Sequence, residues 1–154
     1  MTHGQTLLSP VIICGPVQAT KKLRKPVIVS LPHCAALRQV NWTLSVLRAG
    51  EDSKEAMTWR SLITLGRENI NSPVYAQLDL NIVHLVTESL TALDLASQST
   101  HTAPTFKSLR IAAFPQEYPQ GSDLSVRLYC LQAMEHAVKI VTETERQFGD
   151  QLLD

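Results

Sequence analysis

The sequence predicts an all-β fold: one β-sandwich, then the beginning of a second sandwich that carries a single amphipathic helix. Short apolar runs recur at intervals of roughly 8 to 12 residues through the first part of the chain, as is typical of β-sandwiches. Turn sequences rich in Gly, Pro, Asn and Asp separate these runs. Towards the C-terminus, a run with the two-residue period of a strand passes directly into a stretch with the helical period of about 3.6 residues.

Seven short strands are predicted in the first domain. Proline bounds the second strand on both sides, at Pro26 and Pro32, where its missing N–H costs no hydrogen bond of the ladder. Trp42 and Trp59 share the parity of their aliphatic neighbours, so both are predicted to anchor the sandwich core. The predicted strands run over 11–14, 27–31, 42–46, 57–65, 74–80, 82–86 and 90–95.

A linker is predicted at 97–105, because this stretch is small, polar and uncharged. It separates a first domain at 1–96 from a second domain at 106–154. The second domain contains a predicted strand at 109–114, a proline-rich turn, another strand and a helix at 132–148.

The apolar residues of the last strand and of the helix are predicted as core. Alternate residues of the strand are apolar and share one face, and the helix carries an apolar stripe. Two strands and a helix bury too little surface to be stable alone, and the first domain begins almost inside its first strand. The sequence therefore predicts that the first domain is truncated N-terminally and the second C-terminally. The predicted core residues of this second region are Leu124, Val126, Leu128, Met134, Val138, Val141 and Phe148.

The composition argues against several classes of function. Basic and acidic residues number 14 each, so no net charge attracts nucleic acid. No run of about 18 apolar residues is present to span a membrane. The six glycines are too scattered for a phosphate-binding loop. The three cysteines are odd in number and widely spaced, which favours a reducing compartment, and they lack zinc-ligand spacing. We therefore expect no cofactor, no metal ion, no small-molecule substrate and a reducing compartment.

Few residues suggest catalysis. His33 and Cys34 are adjacent, but neighbours on an extended segment point to opposite faces, so a structural role is predicted for both. His84 lies in mid-strand and is predicted to be partly buried. Asp79, His84 and one of the serines would make up a Ser-His-Asp set, but nothing in their spacing supports one. We predict that the chain is not an enzyme, against the contrary hypothesis of a small hydrolase that uses His33, Cys34 or His84.

Lys21, Lys22, Arg24 and Lys25 form the only run of like charges in the sequence. One interpretation is a solvated hairpin tip. The other is an interaction patch that contacts an acidic partner surface or anionic lipid of the inner leaflet. The sequence leaves both interpretations open.

Seven segments of the chain carry a resemblance to a known family. They are LLSPVIICGP, RKPVIVSLPHCA, SPVYAQLDL, HLVTESLTALDLASQS, LRIAAFP, LSVRLYCL and ERQFGDQLL. The segments occur in the order found in the cytoplasmic part of netrin receptors of the uncoordinated-five type, and the chain resembles that family over nearly its whole length. The first part resembles the C-terminal portion of a ZU-five domain, and the second part resembles the beginning of a UPA domain. Two stretches, VQATKKLRK and AALRQVNWTLSVLRAGEDSKEAM, depart from the family pattern.

The resemblance implies a non-enzymatic protein-interaction module on the cytoplasmic side of the plasma membrane, within a single-pass receptor. Its implied partners are a death domain of the parent chain, the tail of a partner netrin receptor and cytoplasmic adaptors, while netrin itself binds the parent's ectodomain. The implied processes are axon guidance and receptor-dependent apoptosis. A related scaffold or adaptor, of ankyrin-like or death-domain type, is the alternative.

Overall fold

The chain forms an all-β structure with a single described helix, which confirms the predicted fold class. It divides into two compact units, Met1–Phe106 and Lys107–Asp154, called here the first and second unit. The computed structural model describes residues 5–14, 22–37, 43–50, 58–99, 105–115 and 125–147.

The described part of the first unit contains eight strands in two antiparallel sheets. In the larger sheet, β8 pairs with β4 on one side and with both β1 and β2 on the other, and β4 also pairs with β5. The smaller sheet has the order β3-β7-β6. The strands are β1 Gln5–Leu7, β2 Ile12–Ile13, β3 Val27–Pro32, β4 Thr43–Ala49, β5 Trp59–Thr64, β6 Tyr75–Leu78, β7 Ile82–Thr87 and β8 Ala92–Gln98.

The two sheets pack face to face as a β-sandwich around one apolar core. Within each strand, the side chains of this core come from alternate positions. Burying one aliphatic side chain of this size contributes about 1.5–3 kcal/mol to the stability of the fold. Trp59 is half-buried in β5, while Trp42 lies outside the described residues. The core side chains that are at most 1% exposed include Leu31, Val83 and Leu85 from the smaller sheet and Val46, Leu93 and Leu95 from the larger.

The edge of the larger sheet is interrupted at Ser9 and Pro10. β1 ends before this pair and β2 begins after it, so the strand predicted at 11–14 is only two residues long. The Ser9 hydroxyl replaces the missing backbone partner: it accepts the Leu95 N–H at 2.8 Å and donates to Asp94 Oδ1 at 2.8 Å. Pro10 is compatible with this break in the strand pairing, because proline has no N–H to donate to β8.

The first two residues of the predicted linker, Ser97 and Gln98, lie in β8. β8 continues through Gln98, because β1 and β4 pair with its last residues from both sides. Thr105 then lies beside the end of this strand, where its hydroxyl is 2.8 Å from that of Ser97. The Thr105 N–H donates to Ser99 Oγ at 3.2 Å.

The second unit is a two-stranded antiparallel sheet with one helix: β9 Leu109–Pro115, β10 Val126–Gln132 and α1 Glu135–Gln147. The helix begins later than position 132 because β10 runs through Gln132. The Ala133 N–H extends the ladder further by donating to Ser108 O at 2.9 Å.

Glu145 ties the helix to β10. This carboxylate is only 2% exposed, and it accepts two hydrogen bonds from the Arg127 guanidinium, at 3.0 and 2.5 Å. The Tyr129 hydroxyl donates to its other oxygen at 2.5 Å. The Tyr129 ring also packs edge-on against the fully buried Phe114, with centroids 5.7 Å apart. A buried carboxylate is tolerated when it is paired and hydrogen-bonded in this way.

The prediction that Val126 and Leu128 are core residues is wrong for this structure, in which their exposed fractions are 41% and 70%. The strand was predicted correctly, but its other face packs on the helix, because Arg127 and Tyr129 satisfy Glu145 there. The remaining predicted core residues of this region lie at varied depths. Met134 is buried, Val138 and Val141 are half-buried, and Leu124 and Phe148 lie outside the described residues.

We predict that Glu145→Ala lowers the free energy of unfolding of the second unit by roughly 2–3 kcal/mol, because Arg127 and Tyr129 lose this acceptor. Urea unfolding followed by helical circular dichroism measures the change. Glu143→Ala is the matched control, since its 3.8 Å pair with Lys139 is exposed and removing it costs at most about 0.5 kcal/mol. Equal effects of the two substitutions would contradict the assignment of Glu145 as the connection between helix and sheet.

Candidate interaction surface

The outer face of the smaller sheet carries an exposed apolar row. Strand register places Ile28 of β3 opposite Val86 of β7, and Val86 opposite Tyr75 of β6. Their exposed fractions are 69%, 39% and 55%. Because alternate residues point to opposite faces, this row forms on the surface while the neighbouring residues of each strand turn into the core.

Basic residues lie directly before β3, beside this row. Lys22 pairs with Glu88 at 2.5 Å, and the Leu23 N–H donates to the Glu88 carbonyl at 2.7 Å. These contacts hold the segment against the end of β7. Arg24 and Lys25 follow, both exposed, and neither forms an ion pair with another described residue. We call Arg24, Lys25, Ile28, Tyr75 and Val86 the basic-apolar face; Lys21 lies outside the described residues.

A Ser-His-Asp set lies on the same sheet face, next to the apolar row. Ser30 Oγ is 2.8 Å from His84 Nδ1, and His84 Nε2 is 3.4 Å from the Asp79 carboxylate. The Gln77 amide donates to Asp79 at 3.1 Å. The structure thus brings together Asp79 and His84 with a serine that sequence spacing did not identify.

The geometry of this set does not favour nucleophilic catalysis. Ser30 lies in the middle of a strand on an open sheet face, not on a sharp turn within a concave site. The Asp79–His84 separation of 3.4 Å is longer than a hydrogen bond that would orient a catalytic histidine. Ser30 and His84 are direct cross-strand partners, so their contact is accounted for as a stabilising polar pair of the sheet.

His33 is a structural residue of the first unit. It is 1% exposed, its Nδ1 accepts the Ala35 N–H at 3.2 Å, and its Nε2 lies 3.2 Å from the Asp79 carbonyl. These partners select the neutral ring that carries its proton on Nε2. Burial lowers the pKa of His33 below its usual value, and the bond to the Asp79 carbonyl offsets this only in part.

The three cysteines occupy different environments. Cys34 is 1% exposed, and its thiol donates to the Leu8 carbonyl at 3.4 Å. Cys14 is half-buried, and burial raises the pKa of its thiol. Cys130 is exposed on β10. Desolvation disfavours the reactive thiolate at the two shielded positions, so neither resembles an activated nucleophile.

The second unit has an exposed apolar sheet face of its own. Odd-numbered residues of β9 pair with even-numbered residues of β10, and their side chains lie on the sheet face opposite to the one covered by α1. The face carries no charged side chain in its described part. It includes Leu109, Ile111, Ala113, Val126, Leu128 and Cys130.

Small-molecule features are weak in the described residues. A cleft of about 390 Å³ is lined by Leu44 of β4, by residues of the segment that follows β5 and by Ala76 and Leu78 of β6, and Glu68 is its one titratable lining residue. No group of three or more His, Cys, Asp or Glu side chains within the described ranges is placed to hold a metal ion. Among the residues that the structure describes, no helix is long and apolar enough to cross a membrane.

Two family models match the chain, one at each end. Residues 1–50 match the ZU5 domain, and residues 105–154 match the UPA domain. The two matches follow each other in the order ZU5, then UPA. ZU5 and UPA are protein-interaction domains rather than enzyme families. The ZU5 match includes Arg24, Lys25 and Ile28, and the UPA match includes β9, β10 and α1.

We predict that acidification destabilises the first unit through His33. Unfolded His33 takes up a proton below about pH 6.5, whereas the folded protein resists it, so stability is complete above that pH and falls as pH decreases. His33→Asn retains an acceptor for the Ala35 N–H and should reduce the loss of unfolding free energy between about pH 7 and pH 5. Tryptophan fluorescence monitors unfolding, since both tryptophans belong to the first unit.

His136→Asn, on the helix of the second unit, is the control for this measurement. It should leave the pH dependence of the first unit unchanged. An identical pH dependence in the wild type and in His33→Asn would show that His33 does not titrate on unfolding.

We predict that iodoacetamide modifies Cys130 first, Cys14 more slowly and Cys34 only when the first unit opens. The order follows from exposure at Cys130, a raised thiol pKa at Cys14 and full burial at Cys34. Mass spectrometry of timed digests measures the three rates. Rapid modification of Cys34 in the folded protein would instead support the hydrolase hypothesis.

Proposed function

We propose that this chain is the ZU5–UPA portion of the cytoplasmic region of a netrin receptor of the uncoordinated-five type, acting as a non-enzymatic protein-interaction module. The observation that carries the proposal is the order of the two matches, ZU5 and then UPA. The segments LSVRLYCL and ERQFGDQLL add family-specific support. In this proposal the ZU5-like domain occupies 1–96, the linker 97–105 and the UPA-like domain 106–154.

The proposed module works by presenting surfaces to other proteins. It packs with a death domain of its parent chain and binds the tail of a partner netrin receptor or cytoplasmic adaptors. It does so on the cytoplasmic side of the plasma membrane, in axon guidance and in receptor-dependent apoptosis. The exposed apolar faces of both units support this role, because contiguous exposed apolar surface is typical of interaction sites.

A scaffold or adaptor of ankyrin-like or death-domain type is the alternative function. The same ZU5 and UPA matches favour it equally. The two functions differ in what surrounds this portion of the parent protein. A receptor places an apolar span before it, whereas an ankyrin-like scaffold places ankyrin repeats there.

We predict that the full coding sequence contains an apolar span of about 20 residues upstream and a helical death domain downstream. Sequencing the complete transcript tests the arrangement. Calorimetric titration of the 154-residue chain with that death domain then tests the interaction itself, with an unrelated helical bundle of similar charge as the control. Ankyrin repeats upstream would favour the alternative, and a death domain that releases no binding heat would contradict the proposed packing.

A further inference from the structure

We propose that the basic-apolar face binds an acidic, apolar segment of a partner protein. The segment's apolar side chains lie on Ile28, Val86 and Tyr75, and its carboxylates lie at Arg24 and Lys25. This inference rests on the proposed function as an interaction module, and it names the surface and the chemistry of the partner.

The apolar row is a rigid platform. It spans three hydrogen-bonded strands, and neighbouring strands lie about 4.8 Å apart, so its three side chains cover roughly 10 Å across the sheet. Beneath them, Leu85 is fully buried in the sandwich core. A tyrosine on such a platform has few rotatable bonds to immobilise, which is why tyrosine is common among residues that contribute strongly to interfaces.

Two positively charged side chains beside the platform are not balanced by a described acidic residue. Glu88 neutralises Lys22, which leaves Arg24 and Lys25 without a described counter-charge. Carboxylates on a partner segment would supply it. Such rim charges affect association rate and specificity more than total affinity, and they are sensitive to salt.

The far end of the sheet face has the opposite sign. Going along the strands from the apolar row, the next row contains Ser30, His84 and Gln77, and Asp79 lies beside it. Rows of the same face are two residues apart, about 7 Å. The Asp79 carboxylate disfavours acidic groups there, so the bound segment has its acidic end at Arg24 and Lys25 and a neutral or basic end near Asp79.

A protein segment fits this face better than a membrane. Polybasic lipid-binding sites carry about 4–8 Lys or Arg, whereas only two unpaired basic residues are described here, together with the Lys22–Glu88 pair. The chain as a whole has no net charge to hold it on an anionic bilayer. The same sheet face also carries Asp79, beyond the row of Ser30, His84 and Gln77, and an anionic surface would repel this carboxylate.

Selection from a random library of displayed peptides, about 12 residues long, against the full chain tests the proposal. The expected peptides carry Asp or Glu near one end, next to apolar residues. Fluorescein-labelled copies are then measured by anisotropy at low and moderate salt. Arg24→Glu with Lys25→Glu should weaken binding about tenfold or more, with the larger effect at low salt, and Ile28→Ser should weaken binding about fivefold at both salt concentrations.

The control double variant, Lys139→Glu with Arg146→Glu, makes the same charge change on the exposed helix of the second unit. This variant should bind the selected peptides with an affinity within about twofold of that of the wild type. Sedimentation with vesicles that contain about 30% phosphatidylserine provides the lipid arm, in which no binding above neutral vesicles is expected.

Selection of no peptides, selection of basic peptides, vesicle binding that Arg24→Glu with Lys25→Glu removes, or equal effects of the two double variants would each overturn the proposal. Peptides that respond to Ile111→Ser with Leu128→Ser, but not to changes in the basic-apolar face, would also overturn it. That last result would leave the interaction-module function intact, because it would transfer binding to the second unit. Failure of the proposed function itself is detected separately, in the coding sequence that surrounds this portion.

Discussion

The alternation of side chains along each strand is the constraint on which the rest of the structure depends. A strand that packs one face on the core turns its alternate residues to the other face, so the choice of core residues also fixes the residues of the second face. In the smaller sheet of the first unit, burying Leu31, Val83 and Leu85 places Ile28, Val86 and Tyr75 outside in register. The exposed row is therefore a consequence of the same pairing that builds the sandwich.

The same alternation applies in the second unit, but there the covered face of β10 carries polar side chains. Its helix covers the strand face that holds Arg127 and Tyr129, and their joint partner Glu145 is buried with them. The aliphatic parity, including Ile111 and Leu128, faces outward. The covered face thus combines this polar cluster with the buried Phe114 and Ala112, and the buried carboxylate is stable there because it has those specific donors.

Much of the first unit could be predicted from local pattern. Pro26 before β3, Pro32 at its last position, and the alternation in β6 and β7 indicate strands that the structure contains. β1 was missed because Gln5–Leu7 is short and mostly polar, and only its pairing with β8 identifies it as a strand. The inward face of β10 was assigned incorrectly, since hydrophobic parity gives no information about a distant Glu145.

Contacts between distant positions were the least predictable part of the candidate site. Ser30 and His84 are 54 residues apart in sequence, and only the register of β3 against β7 makes them neighbours. The basic run was visible in the sequence, but its position beside an apolar row was not. The Ser-His-Asp set also shows that residue types alone do not define a catalytic site: on an open sheet face, the same three side chains form a cross-strand network.

The break at Ser9 and Pro10 affects how readily the edge of the larger sheet pairs with other protein chains. An uninterrupted edge strand offers a row of free N–H and C=O groups to other chains, and such edges promote intermolecular pairing. Here the edge is divided into one strand of three residues and one of two. The serine hydroxyl turns inward to bind β8, and the proline presents no donor. A side-chain hydrogen bond that replaces a single ladder contact therefore also protects this side of the sandwich against aggregation.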